Sequence, residues 1–246
     1  MDATRVRRLE EAGLNAWPAL RVAHVEGWVL RFARGFTKRA NSANPLYGGD
    51  GDLERRVTAV ERLYGDAGQH PIFRLTGLAP PGLDPLLEGR GYRRIDETVV
   101  ETAPLGADLA TDPGFSDAGS PEAWVDIASP LQGEPAETRP ILSAMLGSIV
   151  PAACFGLVHR DGVPVACGLA VAEGDLVGIF EIAVDPTRRR AGLGRAITAS
   201  LLAWGRQRGA TTAYLQVVAT NAPARTLYDG LGFRESHRYW YRVAPG

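Results

Sequence analysis

The sequence predicts an α+β protein with a mixed β-sheet, arranged as two similar halves in tandem. Short apolar runs between residues 153 and 184 are separated by Asp161-Gly162 and Glu173-Gly174-Asp175, which is typical of antiparallel hairpins. From 178 onward, apolar residues recur first at strand spacing and then at helix spacing, twice over. A shift of 141 residues aligns the first half with this pattern without a gap, so the order of elements repeats.

The first half is predicted to contain three helices and four strands. The helices are expected at 4–14, 53–64 and 83–89, and the strands at 28–32, 37–42, 71–76 and 92–102. Arg34-Gly35 is interpreted as the turn between the first two strands. Proline, glycine, aspartate and alanine dominate 104–121, which is typical of a linker. The predicted organisation is therefore a domain at 1–104, a linker at 105–121 and a second domain at 122–246.

The second half is predicted to open with two helices. Ser120 is placed to cap the first helix, with Pro121 at its first position, and the second helix is expected within 134–148. Strands follow at 153–159, 163–172 and 176–184. A helix that stops at Gly209, a strand at 214–218, a helix that stops at Gly232 and a last strand complete the pattern.

A basic, glycine-containing loop separates a strand from a helix in this half. Asp185-Pro186 ends the strand, because proline has no N–H and restricts the residue before it. Three arginines and Gly192-Leu-Gly194 follow, and the helix begins directly after them. The first N–H groups of a helix lack partners within it and carry partial positive charge, and glycines allow an anion to approach the backbone. The arrangement predicts a binding site for a pyrophosphate.

A second motif follows the next strand. Asn221-x-x-Ala-x-x-Leu-Tyr228-x-x-x-Gly232-Phe233 places Asn221 at a helix cap and Tyr228 near the helix end. Together with Arg189-x-x-Gly192-x-Gly194, this segment resembles the two signatures of the GCN5-related N-acetyltransferase (GNAT) family. The resemblance covers roughly residues 118 to 246. It implies the GNAT acyl-CoA N-acyltransferase fold, present here as two GNAT-like halves, and acetyl-CoA as co-substrate without a metal.

The resemblance also assigns residues to acetyl-CoA binding, through the backbone of one strand, the basic loop and the last helix. These are Ile182, Ala183, Val184, Arg189, Arg190, Ala191, Gly192, Leu193, Gly194, Arg195, Asn221 and Tyr228. The strand that ends at Val184 is expected to splay from the strand at 214–218, so that the pantetheine arm pairs with its backbone. One N–H group of that strand would stabilise the oxyanion of a tetrahedral intermediate.

Two side chains are candidate catalytic groups. Glu181 is the only acid in the central strand, so it is interpreted as the base that takes a proton from the attacking amine; a solvent-facing or arginine-paired acid is the alternative. Tyr228 is interpreted as the acid that protonates the departing thiolate; a tyrosine that only packs and hydrogen-bonds is the alternative.

The first half lacks the residues that this chemistry needs. The loop of the second half has Arg189, Arg190, Gly194 and Arg195, and the matching positions of the first half hold Gly48, Gly49, Leu53 and Glu54. Two acids, Asp50 and Asp52, lie in the same loop. The positions of Tyr228 and Asn221 hold Leu87 and Pro80. Acidic residues at this place stabilise a helix but repel a pyrophosphate. One acyl-CoA site is therefore expected, with the first half structural or forming one wall of the acceptor pocket.

Two further stretches are candidates for that pocket. Residues 38–44 are unusually polar for a strand and either face the acceptor or form a sheet edge. Tyr239-Trp240-Tyr241 either line the pocket or cover the sheet.

Composition limits the partners. The net charge of −1 gives no support for nucleic-acid or membrane binding, and the four histidines lack metal-ligand spacing and are expected at the surface or capped. Cys154 and Cys167 are isolated and expected in the core, which suits a cytoplasmic protein. The sequence leaves the oligomeric state open between a monomer and a homodimer. The function predicted first is acetylation of a small-molecule amine. Acetylation of a protein or peptide, and non-catalytic acyl-CoA sensing, are the alternatives.

Overall fold

The computed structural model of the protein describes residues 2–47, 51–106 and 109–245. Within these ranges the helices are α1 (Ala3–Ala16), α2 (Leu53–Asp66), α3 (Leu83–Gly89), α4 (Pro121–Gln132), α5 (Arg139–Leu146), α6 (Leu193–Gln207) and α7 (Ala222–Asp229). The strands are β1 (Arg21–Val25), β2 (Trp28–Phe32), β3 (Ala43–Asn44), β4 (Ile72–Leu75), β5 (Arg93–Pro104), β6 (Phe115–Asp117), β7 (Ala152–Arg160), β8 (Val163–Glu173), β9 (Leu176–Val184), β10 (Thr212–Val218) and β11 (Arg234–Val243).

All these strands form one continuous mixed sheet. Their order is β1-β2-β3-β4-β11-β5-β10-β9-β8-β7-β6, so the two halves interleave at its centre. β5, from the first half, lies between β10 and β11 of the second half and pairs antiparallel with both. β11 in turn lies between β4 and β5. Each half therefore completes its sheet with the last strand of the other.

The tandem repeat predicted from the sequence is confirmed. A shift of 141 residues carries α2 onto α6, β4 onto β10, α3 onto α7 and β5 onto β11. The sheet repeats too, because β4 pairs with β11 in the same antiparallel sense in which β10 pairs with β5. The sequence prediction did not include the exchange of final strands.

The predicted strand at 37–42 is wrong. β2 pairs instead with the preceding strand β1 through a turn at Glu26-Gly27, and residues 33–42 form a loop. The Asn41 side chain holds this loop, because its Oδ1 accepts hydrogen bonds from the backbone N–H groups of Ala33 and Gly35. Its amide donates to the carbonyls of Phe36 and Thr37. Side-chain bonds to the backbone here replace the ladder of a strand.

The segment between the halves contains structure of its own. Residues 105–121, predicted as a linker, include β6, which pairs with β7 at one edge of the sheet. Positions 107 and 108 lie outside the described residues. Ser120 caps α4 as predicted, since its Oγ accepts from the Ala123 N–H. The second helix lies within 134–148 as predicted, because α5 spans Arg139–Leu146.

The sheet carries helices on both faces. α6 and α7 pack on one face of the second half, and α1, α4 and α5 pack on the other around Trp17 and Trp124. Gly205 allows α6 to lie directly on the sheet, since a Cβ there would stand 2.6 Å from a methyl carbon of Val177. Both cysteines are buried in strands, as predicted.

A buried ionic cluster fixes α1 to the central strands. Arg74 of β4 donates to both carboxylate oxygens of Glu10, and His237 Nε2 of β11 lies 2.8 Å from Glu10 Oε1. Burial alone would raise the pKa of Glu10, but the charge of Arg74 and the hydrogen bonds from His237 and Arg74 lower it to about 2. His237 is 1% exposed, and its two ring nitrogens lie within hydrogen-bond distance of Glu10 and Ser236, so it is a capped histidine and not a surface one.

Candidate functional site

β9 and β10 pair at one end and separate at the other. Their parallel ladder runs from Leu176↔Thr212 to Ile179↔Leu215 and stops there. The edge of β9 that faces β10 has no strand partner beyond Ile179 among the described residues, and side chains 181–184 are half-buried. A cleft with unpaired backbone on one wall can bind an extended ligand as an added strand.

A bulge in β9 begins the separation. Leu169 and Cys167 of β8 face Phe180 and Ala183, so two residues of β9 oppose one of β8. Glu181 is one of the two and has φ +55, a conformation that a non-glycine residue adopts only when its surroundings hold it. The bulge turns the Glu181 side chain toward the first half of the molecule.

The predicted anion loop lies at the N-terminus of α6. Gly192, with φ +75, begins the helix, and no described side chain caps it. Arg188, Arg189 and Arg190 are exposed, and no described carboxylate pairs with them. Free backbone N–H groups beside three unpaired cations are an arrangement able to hold an anion. Among the predicted residues, Ala191 is exposed, Gly194 is half-buried, Leu193 buries its side chain in the core, and Arg195 donates to the Gly230 carbonyl at 3.0 Å.

The equivalent helix of the first half is closed to anions. The Asp52 carboxylate accepts from the N–H groups of Glu54 and Arg55, at 2.9 and 3.3 Å. These are the donors that an anion would need, so the helix binds its own carboxylate instead. The predicted replacements Gly48, Gly49 and Asp50 lie outside the described residues.

Glu181 is paired with a residue of the first half. Arg39 Nη2, from the loop at 33–42, lies 2.8 Å from Glu181 Oε1. Gln132 Nε2 donates to the Glu181 carbonyl oxygen at 3.3 Å and lies 3.4 Å from its Oε2. Arg39 also stacks over Trp17, 4.7 Å from the ring centroid. Burial, the largest single effect, would lower the pKa of Arg39, but the charge of Glu181, the nearby Tyr239 and Tyr241 and the hydrogen bond to Glu181 together raise that pKa.

Tyr228, in α7, lies on the face of the sheet opposite to Glu181, where α6 packs. It is 9% exposed and packs edge-on against Phe233 with the ring centroids 5.9 Å apart. Burial, and then the charge of Glu101, raises the pKa of Tyr228 to about 12. Glu101 comes from β5 of the first half; its Oε1 accepts from Arg225 Nε at 3.3 Å, while its buried Oε2 has no described partner.

Asn221 caps α7 as predicted, because its Oδ1 accepts from the Ala224 N–H at 3.2 Å. Its side chain is exposed at the end of β10 where the cleft is open. The motif therefore brings Asn221 and Tyr228 onto one short helix beside the separated strands.

A pocket of about 340 Å³ lies on the Glu181 face of the sheet. Lys38 and Arg39 of the loop, Asp96 of β5, Gln216 of β10 and Tyr239 of β11 line it, so both halves contribute. Tyr241 also lines it, so two of the three aromatic residues on the last strand face this pocket. Trp240 points the other way, toward Asp84 of the first half.

Sequence reasoning missed Glu101, Gln132 and the role of Arg39. The available signal for Glu101 was an acid directly after the apolar pair Val99-Val100, in a strand that also carries Asp96 and Glu97. The described residues contain no group of three or more histidine, cysteine or acidic side chains placed to hold a metal ion. In the same ranges, no helix combines the length and apolar character needed to cross a bilayer.

Three features together define the class of protein: the mixed sheet, the bulged strand that separates from its neighbour, and the uncapped basic helix. The class is a GCN5-related N-acetyltransferase with two GNAT-like halves, of which the first is degenerate. Within this class, the chain belongs to the family described as "Probable histone acetyltransferase Rv0428c C-terminal", which it matches over residues 3–242. The chain is therefore an acyltransferase by family.

Individual relatives agree. The "Uncharacterized N-acetyltransferase YobR" of Bacillus subtilis (strain 168) is 26% identical over 247 residues, covering 97% of this chain and 98% of the relative. A GCN5-related N-acetyltransferase from Kribbella flavida has a similar structure, with TM-score 0.71, 21% identity and coverage of 98% and 95%. A tandem GNAT protein from the clavulanic acid biosynthesis pathway has TM-score 0.67 at 14% identity, with coverage of 97% and 88%. At these identities the two structures establish the fold alone.

Proposed function

We propose that this chain transfers the acetyl group of acetyl-CoA to a primary amine of a small molecule. The observation that carries the proposal is the cleft between β9 and β10, which opens beside the uncapped N-terminus of α6. The two features offer strand-like backbone for a pantetheine arm and N–H groups with arginines for a pyrophosphate. The corresponding helix of the first half has no such N–H groups to offer, because the Asp52 carboxylate already accepts from them.

In this proposal the residues divide by the part of acetyl-CoA that they hold. The backbone of Ile182, Ala183 and Val184 binds the pantetheine arm and supplies the oxyanion donor. Arg189, Arg190 and the amides of residues 190–195 hold the pyrophosphate, and Asn221 contacts the arm.

Direct attack requires a neutral amine, whose conjugate acid has a pKa of about 10. Glu181 accepts the proton, through a water where the amine does not reach it. Arg39 and Gln132 hold this carboxylate at the cleft. The amine nitrogen then bonds to the thioester carbon, and collapse of the tetrahedral intermediate breaks the C–S bond and expels the thiolate. The nitrogen gives up its second proton to water, and water also reprotonates the donor of the thiolate proton once the product has formed.

Tyr228 donates a proton to that thiolate. With a pKa of about 12, Tyr228 is a weaker acid than a free phenol, and a free thiol has a pKa of about 8.5. The cleft that desolvates the phenol also desolvates the thiolate and raises the pKa of its thiol. The pKa difference between the Tyr228 phenol and the CoA thiol, which governs the proton transfer, is therefore smaller than the values of about 12 and about 8.5 suggest.

The experiment is thiol release from acetyl-CoA with purified protein and a panel of amines, alongside Tyr228→Phe and Glu181→Gln. We expect release with one class of amine, acetylated amine by mass spectrometry, and a fall in kcat of about a hundredfold or more in each variant. Acetyl-CoA binding without release or product would contradict catalysis and favour the sensor. Absence of binding would contradict the cleft assignment.

Acetylation of a protein or peptide is the second candidate, since the family description names a histone acetyltransferase. The pocket of about 340 Å³ between the halves is the size of a small-molecule site. Small amines are therefore expected to have the higher kcat/KM, and a peptide panel in the same assay decides between the two.

A further inference from the structure

The charged residues of the pocket beside Glu181 indicate the chemical class of the acceptor, an inference that rests on the proposed function. Its walls contain Lys38, Arg39 and Asp96. A small void beneath it, lined by Arg31, Arg74 and Glu10, shares Arg39 and Gln216 with the pocket. The wall and the floor are therefore one continuous polar region, built mainly by the first half.

The charges of this region do not balance. Its described cations are Lys38, Arg39, Arg31 and Arg74, and its described carboxylates are Asp96, Glu181 and Glu10. Lys38 pairs with Asp96 at 2.9 Å, Arg39 pairs with Glu181, and Arg74 pairs with Glu10. Arg31 has no described carboxylate partner, so with His237, which contacts Glu10, counted as neutral the region carries an excess of one positive charge.

Arg31 is held by neutral groups only. It is 3% exposed, and its guanidinium donates to the carbonyl oxygens of Leu14, Trp17 and Arg39. Burial, and then the positive charge of Arg74, lowers the pKa of Arg31 to about 9. A buried cation without a counter-ion is unfavourable, and an anion nearby would relieve it.

We propose that the acceptor is an amine that also bears a carboxylate, and that the pocket of Lys38 and Arg39 above the Arg31 and Arg74 guanidiniums holds that carboxylate while the amine faces Glu181. One excess positive charge matches a monoanion. A phosphate monoester carries about 1.5 to 2 negative charges and would leave the region negative. A basic peptide, such as a lysine-rich tail, would add positive charge to a region that already has too much.

Lys38 gives a direct readout of binding, because it is the only lysine of the chain. Protein grown with isotope-labelled lysine shows a single lysine side-chain NMR signal. We expect this signal to shift on titration with a small monocarboxylate that lacks an amine, such as butyrate, in the presence of CoA. An equal concentration of the corresponding amide should leave it in place. This readout does not depend on acetyl transfer.

The kinetic arm compares an α-amino acid with its carboxamide and its decarboxylated amine as acceptors. We expect kcat/KM to be higher for the amino acid by about tenfold or more, as for a hydrogen bond to a charged group. Lys38→Met should remove most of this preference through KM, while Lys38→Arg retains it. Arg62→Met, which removes one charge from a side chain that is 83% exposed, serves as the control and should change nothing.

Equal use of the neutral amines and no shift of the Lys38 signal would overturn the carboxylate site and leave the transferase standing. A shift by carboxylates without transfer to any amine would support the site and contradict the proposed activity. A preference for basic peptides over small acids would overturn the inference in favour of a protein acceptor.

Discussion

Arg39 of the first half and Glu181 of the second form an ion pair, 2.8 Å between Nη2 and Oε1, across 142 positions of sequence. Both side chains are about three-quarters buried, at 25% and 21% exposure. The degenerate half thus supplies the partner of the candidate base. The sequence offered two interpretations of Glu181, a catalytic base or an acid paired with an arginine. The arginine pair is present in the structure, and it is compatible with the proposed role as a base.

This pair can be tested with a double-mutant cycle. Arg39→Met leaves a half-buried carboxylate unpaired, and we expect it to lower the free energy of unfolding by about 1–2 kcal/mol and to reduce kcat. Combined with Glu181→Gln, the same change should cost clearly less, because the carboxylate is gone. Urea unfolding and thiol-release kinetics measure both quantities. Strict additivity would show that the two residues do not act together.

Gly192 provides a test of the pyrophosphate site. It has φ +75 and open space around the position of a Cβ, so Gly192→Ala introduces backbone strain of about 1 kcal/mol and no clash. Gly209→Ala is the matched control, with φ +89 and equally open space at the far end of α6. We expect both to lose similar stability, and only Gly192→Ala to weaken acetyl-CoA binding in calorimetry. Equal binding by the two variants would place the pyrophosphate elsewhere.

Calorimetry should also give one acetyl-CoA per chain. Asp52 closes the helix terminus of the first half with its own carboxylate, whereas α6 has no described side-chain cap. Arg189→Ala combined with Arg190→Ala is expected to weaken that single site. A second site that survives this double change would show that the first half binds acetyl-CoA as well.

The pH–rate profile should lack a fall near pH 10 if Tyr228 is the acid. Its raised pKa, about 12, keeps the phenol protonated through the range in which a free tyrosine ionises. The rate of an amine substrate should therefore rise and level off as the amine deprotonates. A decline centred near pH 10 that Tyr228→Phe abolishes would contradict the burial of this hydroxyl.

Stability should fall in acid because of Glu10. Its pKa is lowered to about 2 in the folded protein, from 4.5 when unfolded, so its contribution is complete above pH 4.5. That contribution is lost as the pH falls from 4.5 through 2, and it amounts to about 3 kcal/mol. Urea unfolding at several pH values measures it, and Glu10→Gln should flatten the curve over this window. An unchanged slope in that variant would mean that other carboxyl groups dominate.

Local motifs made much of the molecule predictable. The loop before α6 and the segment from Asn221 to Phe233 specify strand ends, caps and a helix start within a few residues, where spacing is informative. The repeat was readable for the same reason, since its turns and apolar runs recur at one offset.

Long-range pairing was not predictable. The same repeat is compatible with two closed sheets or with one sheet whose last strands exchange, because the alternation of side chains is identical in both. Arg39 reaches Glu181 only through the loop that Asn41 folds, and the sequence there suggested a strand instead. Glu101 lies beside Tyr228 only because β5 crosses into the second half.

The exchange of final strands also has a consequence for synthesis on the ribosome. Both edges of β5 and one edge of β4 pair with strands that begin at residues 212 and 234. Three strand edges of the first half therefore stay open until β10 is made, and two of them until β11 is made. Neither half can finish folding before the other, and the decisive contacts are far apart in sequence, which makes folding slow. A nascent chain that stalls before β11 would lack the strand that joins β4 to β5 and would expose edges prone to aggregation.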